Sequence, residues 1–133
     1  MLDCLIIGDS IAYGISNIRT ECVSYVQSGI NSRNWNTKWL SHIKPAKNVI
    51  ISLGTNDLKD IDTFEELNKL RSTIKADSVY WVMPPIKIDV QQAVWLVSVR
   101  YCDKVIKTEN LSNDNIHPTY KGYVELANQT KIQ

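Results

Sequence analysis

The sequence has little of what most quickly assigns a chain to a class. No apolar run in its 133 residues approaches the roughly twenty residues needed to cross a bilayer. Neither sign of charge dominates: 15 Lys and Arg stand against 14 Asp and Glu, without long runs, so the electrostatic grip needed for nucleic acid or an anionic membrane is missing. Repeats, low-complexity tracts and linkers are absent. Cysteine is scarce and odd in number. Cys4, Cys22 and Cys102 lack metal-ligand spacing, which leads us to expect free thiols, no bound metal and a reducing compartment. The start of the chain shows no charged lead, long apolar region or cleavage site, so the expected location is the cytoplasm, with carriage on a virion or release by lysis as alternatives. Phosphate loops are missing as well. Gly8 to Gly14 reads Gly-x-x-x-x-x-Gly, without the Lys-Ser/Thr of a P-loop or the Gly-x-Gly-x-x-Gly of a dinucleotide site, which argues against a nucleotide or flavin binder.

What is present is an alternation of short apolar runs and amphipathic stretches. The length suits one domain, residues 1–133, with little left for insertions. Residues 4–7, 48–53 and 79–83 are apolar runs of strand length, and 21–27 and 103–107 are weaker candidates. Between them, 11–18, 35–43, 63–74, 90–101 and 119–129 carry apolar residues at helical spacing. Thr63 followed by Glu66 has the pattern of a capping box, and Pro118 suits the first turn of the last helix. Strands separated by helices predict a three-layer α/β/α sandwich around a five-stranded, mostly parallel sheet. In such a fold all strands end on one rim, which gathers Ser10, Gly29, 54–57, Pro84-Pro85 and 114–117.

Acyl transfer needs the residue types that meet there. A serine hydroxyl is a poor nucleophile until an imidazole takes its proton, and a carboxylate holds the imidazole in the useful tautomer. Asp114 and His117 lie three residues apart, so the carboxylate can fold back on one ring nitrogen while the other faces Ser10. The backbone N–H groups of Ser10 and Gly29 and the amide of Asn56 offer three donors to an oxyanion, each worth about a hundred- to a thousand-fold in rate.

Gly8-Asp9-Ser10 with Gly14, then Gly29, Gly54-Thr55-Asn56-Asp57 and Asp114-Asn115-Ile116-His117-Pro118, resemble the four sequence blocks of the SGNH (GDSL-type) hydrolases, in the family's order. His117-Pro118-Thr119-Tyr120-Lys121-Gly122-Tyr123 also matches the segment that commonly follows the family's histidine. The resemblance implies a flavodoxin-like sandwich and ester hydrolysis through an acyl-enzyme, without metal or cofactor. It casts Ser10 as nucleophile, His117 as general base and then acid, Asp114 as orienting carboxylate, and Gly29 and Asn56 as oxyanion donors. Asp9 and Asp57 read as structural. The chain departs from the family in two ways. Ile11 replaces the usual leucine after the serine, and the chain is shorter than most members.

The expected function is therefore hydrolysis of a small acyl ester, with an O-acetyl group on a carbohydrate preferred because short loops build a shallow cleft. Arg33, Trp35 and Ile86 are the candidate substrate contacts, and the expected partner is a small-molecule or glycan ester. The alternatives are a non-catalytic module that binds a glycan or protein on the same rim, and a lipase- or thioesterase-type hydrolase, for which the sequence offers no dedicated apolar insertion. The pattern leaves the oligomeric state open.

Overall fold

A computed structural model describes residues 1–131. Five strands, β1 (Leu2–Gly8), β2 (Val23–Val26), β3 (Ala46–Ser52), β4 (Ala76–Val82) and β5 (Lys104–Ile106), alternate with five helices, α1 (Ser10–Ile18), α2 (Ser32–Trp39), α3 (Thr63–Thr73), α4 (Ile88–Arg100) and α5 (Tyr120–Gln129). The sheet order is β2-β1-β3-β4-β5 and every pairing is parallel. This is the expected α/β sandwich.

Side chains of successive strand residues point to opposite faces, and two cores follow from that alternation. Leu5, Ile7, Val49, Ile51, Val79 and Trp81 face Trp35 of α2, Leu67 and Leu70 of α3, and Val94 and Val97 of α4. Ile6, Ile50, Tyr80, Val82 and Ile106 face Ile11, Ala12 and Ile15 of α1 and Leu126 and Ala127 of α5. Removing a fully buried side chain such as Leu67 or Ile50 costs about 2–5 kcal/mol. The central strands are buried on both faces, which is why they read as unbroken apolar runs.

Two glycines set close approaches that position the site. Gly8 ends β1 with φ 146°, and a Cβ there would lie 1.9 Å from the carbonyl oxygen of Ser52 on β3. Gly14 on α1 lets the ring of Tyr123 on α5 come within 2.2 Å of where a Cβ would stand, so the two helices press together directly behind their first turns.

Local details differ from the sequence reading. Helix α2 starts at Ser32, three residues before the expected 35–43, because Asn31 accepts from the N–H of Asn34 and caps it there, and the helix ends in a 3₁₀ turn over Leu40–His42. Asp62, not Thr63, caps α3 by accepting from Glu65. Pro118 lies outside α5, bridged to Leu111, and Thr119 is the cap. The cysteines are not all free: Cys4 and Cys22 form a disulfide and Cys102 is unpaired and exposed. The β1–β2 register pairs Leu5 with Val23, which brings the preceding residues side by side with Cα atoms 4.8 Å apart, inside the range a disulfide needs.

Candidate active site

The chain reverses its winding between β1 and β3, since β1 is followed outward by β2 whereas β3, β4 and β5 extend the other way. Crevices for ligands open at the carboxyl ends of strands at such a point. Ser10 follows β1 and Asn56 follows β3, so both stand at its mouth.

Ser10 is the first residue of α1. Asp9 caps the helix, accepting from Ile11 N–H at 3.1 Å, and leaves the hydroxyl of Ser10 uncommitted to capping. That hydroxyl lies 2.8 Å from Nε2 of His117. On the other side of the ring, Nδ1 is 2.7 Å from Oδ2 of Asp114. A carboxylate only accepts, so Nδ1 carries the proton and Nε2 presents its lone pair to the serine hydroxyl. An imidazole so held is able to take the hydroxyl's proton.

His117 reaches the serine because residues 110–119 fold into a small hairpin. Ser112 N–H donates to His117 O at 2.8 Å, Thr119 N–H donates to Asn110 O at 2.8 Å, and Leu111 bridges Pro118. Asp114 sits at the turn. Its Oδ1 accepts from the Ser112 hydroxyl and from the backbone N–H groups of Ile116 and His117, all at 2.9 Å. The bond from His117 and then these donors hold the Asp114 carboxyl well below the usual carboxylate range, although the side chain is exposed.

Asp9 behaves oppositely. Burial pushes its pKa up to about 6, and bonds from Ile11, Ser52 and Ala12 offset only part of the cost. Its Oδ1 takes the Ser52 hydroxyl at 3.1 Å, tying the ends of β1 and β3, while Oδ2 is buried without a partner. Asp57 is a second tie. It accepts from Ser32 N–H at 2.8 Å, the Ser32 hydroxyl at 2.6 Å and the Thr63 hydroxyl at 2.7 Å, which joins the starts of α2 and α3 to the loop after β3.

Of the expected oxyanion donors, Asn56 gives one amide proton to Ile30 O at 3.2 Å and keeps the other. Gly29 is exposed on the loop after β2 with φ 79°. The Ser10 N–H belongs to the first turn of α1, where no intrahelical acceptor exists.

Solved structures share this fold, among them the following two. One is a candidate acylhydrolase from Bacteroides fragilis, 14% identical, with a TM-score of 0.64 over 96% of this chain and 83% of its own. The other is the C-terminal catalytic domain of peptidoglycan O-acetyltransferase A from Streptococcus pneumoniae, carrying a methylsulfonyl adduct, 12% identical, with a TM-score of 0.59 over 98% and 97%. No family model and no curated relative matches the chain.

The substrate-contact expectations fare unevenly. Trp35 is fully buried, donating from its indole to Tyr25 O at 2.9 Å, which is the packed position that its helical spacing equally allows and leaves it no surface to offer a substrate. Arg33 is exposed and reaches Asp60 at 3.4 Å, and Ile86 is half-buried in the loop after β4. A cleft of about 570 Å³, lined by Leu58, Ile61, Ile88 and Val90, adjoins the loop after β3. Leu58 and Ile88 stand 68% and 69% exposed along it, an apolar surface that the loop composition had not suggested. Among the described residues, Cys4, Glu21 and Cys22 form a cluster of metal-ligating types, but the disulfide occupies both sulfurs. No described helix is long and apolar enough to cross a membrane.

Proposed function

We propose that this chain is a serine esterase of the SGNH type, acting on a small acyl ester through an acyl-enzyme. The observation that carries the reading is the two-bond relay from Asp114 through His117 to Ser10. Ser10 Oγ attacks the acyl carbon as Nε2 of His117 takes its proton. The tetrahedral oxyanion is met by the N–H groups of Ser10 and Gly29 and the free amide proton of Asn56. Collapse passes the Nε2 proton to the departing alcohol and leaves the acyl group on Ser10. A water molecule then repeats the sequence, giving its proton to Nε2, and the acid leaves as Ser10 recovers its hydrogen. The relay stabilises the imidazolium at each attack, and donors preset toward the oxyanion supply the larger part of the rate.

An acetyl ester on a carbohydrate is the substrate class we favour, in keeping with the short loops and with the fold shared with a peptidoglycan O-acetyltransferase domain. The second reading is an ester or thioester with a longer acyl chain, whose tail would have to extend past Asn56 to the apolar cleft at Leu58 and Ile88, since that cleft is lined by neither Ser10 nor His117. Assaying esters of increasing chain length separates them: best turnover on acetyl supports the first, and best turnover on long chains transfers the site to the second.

The class itself is tested with a fluorophosphonate probe and mass spectrometry. The expected result is an adduct on Ser10 that is absent in Ser10→Ala and slowed in His117→Ala. Folded native protein that stays unlabelled overturns the esterase reading and leaves a binding module on the same fold.

A further inference from the structure

Lys87 breaks three local rules at once. It has φ 67°, a region non-glycine residues rarely occupy. It stands at the N-cap of α4 without a side-chain capping bond, where Ser, Thr, Asp or Asn is favoured. It also places a cation at the end of the helix whose dipole disfavours one. Local rules are broken in this way where another demand has prevailed.

The ammonium group identifies the demand. It donates to Thr55 O at 2.8 Å and to Asp57 O at 2.9 Å. These carbonyls flank Asn56. A single side chain from the loop after β4 therefore grips the loop after β3 on both sides of the residue that carries the free amide proton. From the other direction the Asp57 carboxylate anchors the same loop to Ser32 and Thr63. The Asn56 side chain has only its 3.2 Å bond to Ile30 O, at the long end for N–H···O, so its aim depends on the backbone that Lys87 clamps.

We infer that Lys87 is a positioning residue for Asn56, holding its amide toward the oxyanion. This rests on the esterase reading above. A donor lowers a barrier most when no reorganisation is needed as charge develops, and a loosened amide forfeits that benefit in the transition state while leaving ground-state binding largely alone. Lys87 touches no reacting atom and works through Asn56.

Lys87→Gly tests it, because glycine adopts the same φ without strain and is acceptable at an N-cap. The expected result is an unchanged or raised melting temperature with kcat on p-nitrophenyl acetate lowered about tenfold and KM within about twofold. In an Asn56→Ala background the same substitution changes kcat by less than about twofold, since no amide remains to be aimed. Lys87→Met, which keeps the bulk of the side chain, behaves like Lys87→Gly in turnover. The Asn56 side-chain amide signals in ¹⁵N spectra shift or broaden in both variants. Native kcat in both variants, a full tenfold loss added to Asn56→Ala, or unmoved Asn56 amide signals overturns the inference. Absence of esterase activity in the native protein counts instead against the proposed function, and the amide spectra still decide the role of Lys87.

Discussion

Asp114 divides its carboxylate between its own loop and His117: Oδ1 collects three donors from residues 112–117, and Oδ2 receives Nδ1 of the imidazole at 2.7 Å. The group that orients the ring is thus itself oriented, so the tautomer is set before any substrate arrives. Asp114→Asn removes the acceptor that fixes this tautomer, and the expected loss in kcat is about a hundred- to ten-thousand-fold with the fold retained. The pH consequence follows from the depressed carboxyl. Its folded pKa lies below the unfolded value, so the ordering it provides is complete above the unfolded value and fades only as pH falls through the folded one. Asp114 stays charged throughout the assay range, and the acid limb of kcat/KM belongs to another group. An acid limb near pH 4 that vanished in Asp114→Asn would contradict this.

The contact between Gly14 and Tyr123 sets how closely α1 approaches α5, and therefore how Ser10 meets His117. Gly14→Ala drives a methyl group into the tyrosine ring. Overpacking of this kind costs about 1–3 kcal/mol, and here it also levers the two helix starts apart. Lower thermal stability together with slower fluorophosphonate labelling is expected. Gly14→Ala combined with Tyr123→Ala, which frees the space, recovers labelling. Full labelling in Gly14→Ala alone would mean that this contact does not set the distance.

The parts of the fold that sequence reveals are those governed by short-range pattern. β1 and β3 are buried on both faces, so Cys4 to Ile7 and Val49 to Leu53 stand out against polar surroundings, and the glycines that end them mark the rim. Features that depend on what lies opposite in space were harder to read. Asp62 and Thr63 are both good capping residues, and the choice fell to Asp62 because the Thr63 hydroxyl is taken by Asp57. Trp35 shares an apolar helical spacing with Trp39, Leu40 and Ile43 that suits the core, and its place beside the rim is what also makes it a candidate contact. Lys87 was invisible because every local propensity at that position argues for a different residue, and its reason lies in the loop after β3.

Asp9 predicts an opposite pH trend to Asp114. Burial raises its carboxyl from 3.8 to about 6 in the folded protein, so between those values the folded state binds more protons than the unfolded one and stability falls as pH rises. A shift of this size corresponds to roughly 3 kcal/mol, present in full below the unfolded pKa and lost above about pH 6. Denaturant unfolding of the native protein and Asp9→Asn at pH 4 and pH 7 isolates the effect. Native stability minus variant stability is expected to be larger at pH 4, and a flat difference would show that Asp9 titrates normally.

The Cys4–Cys22 disulfide lies at the amino end of β1, at the far end of that strand from Ser10. Unpaired cysteines were the basis for expecting a reducing compartment, and the pairing removes that basis, because persistent disulfides belong to oxidising surroundings. Bridging residues 18 apart in sequence stabilises a fold by about 3 kcal/mol, chiefly by restricting the unfolded chain. Alkylation of the unfolded native protein should therefore label only Cys102 without reductant and all three cysteines with it. Reduction should lower the melting temperature while leaving kcat unchanged below the new transition, since the cross-link lies away from the rim. Three reactive thiols before reduction would refute the pairing. A loss of kcat in reduced but folded protein would show instead that the cross-link communicates with Ser10, either along β1 from Cys4 or back through α1 from Cys22.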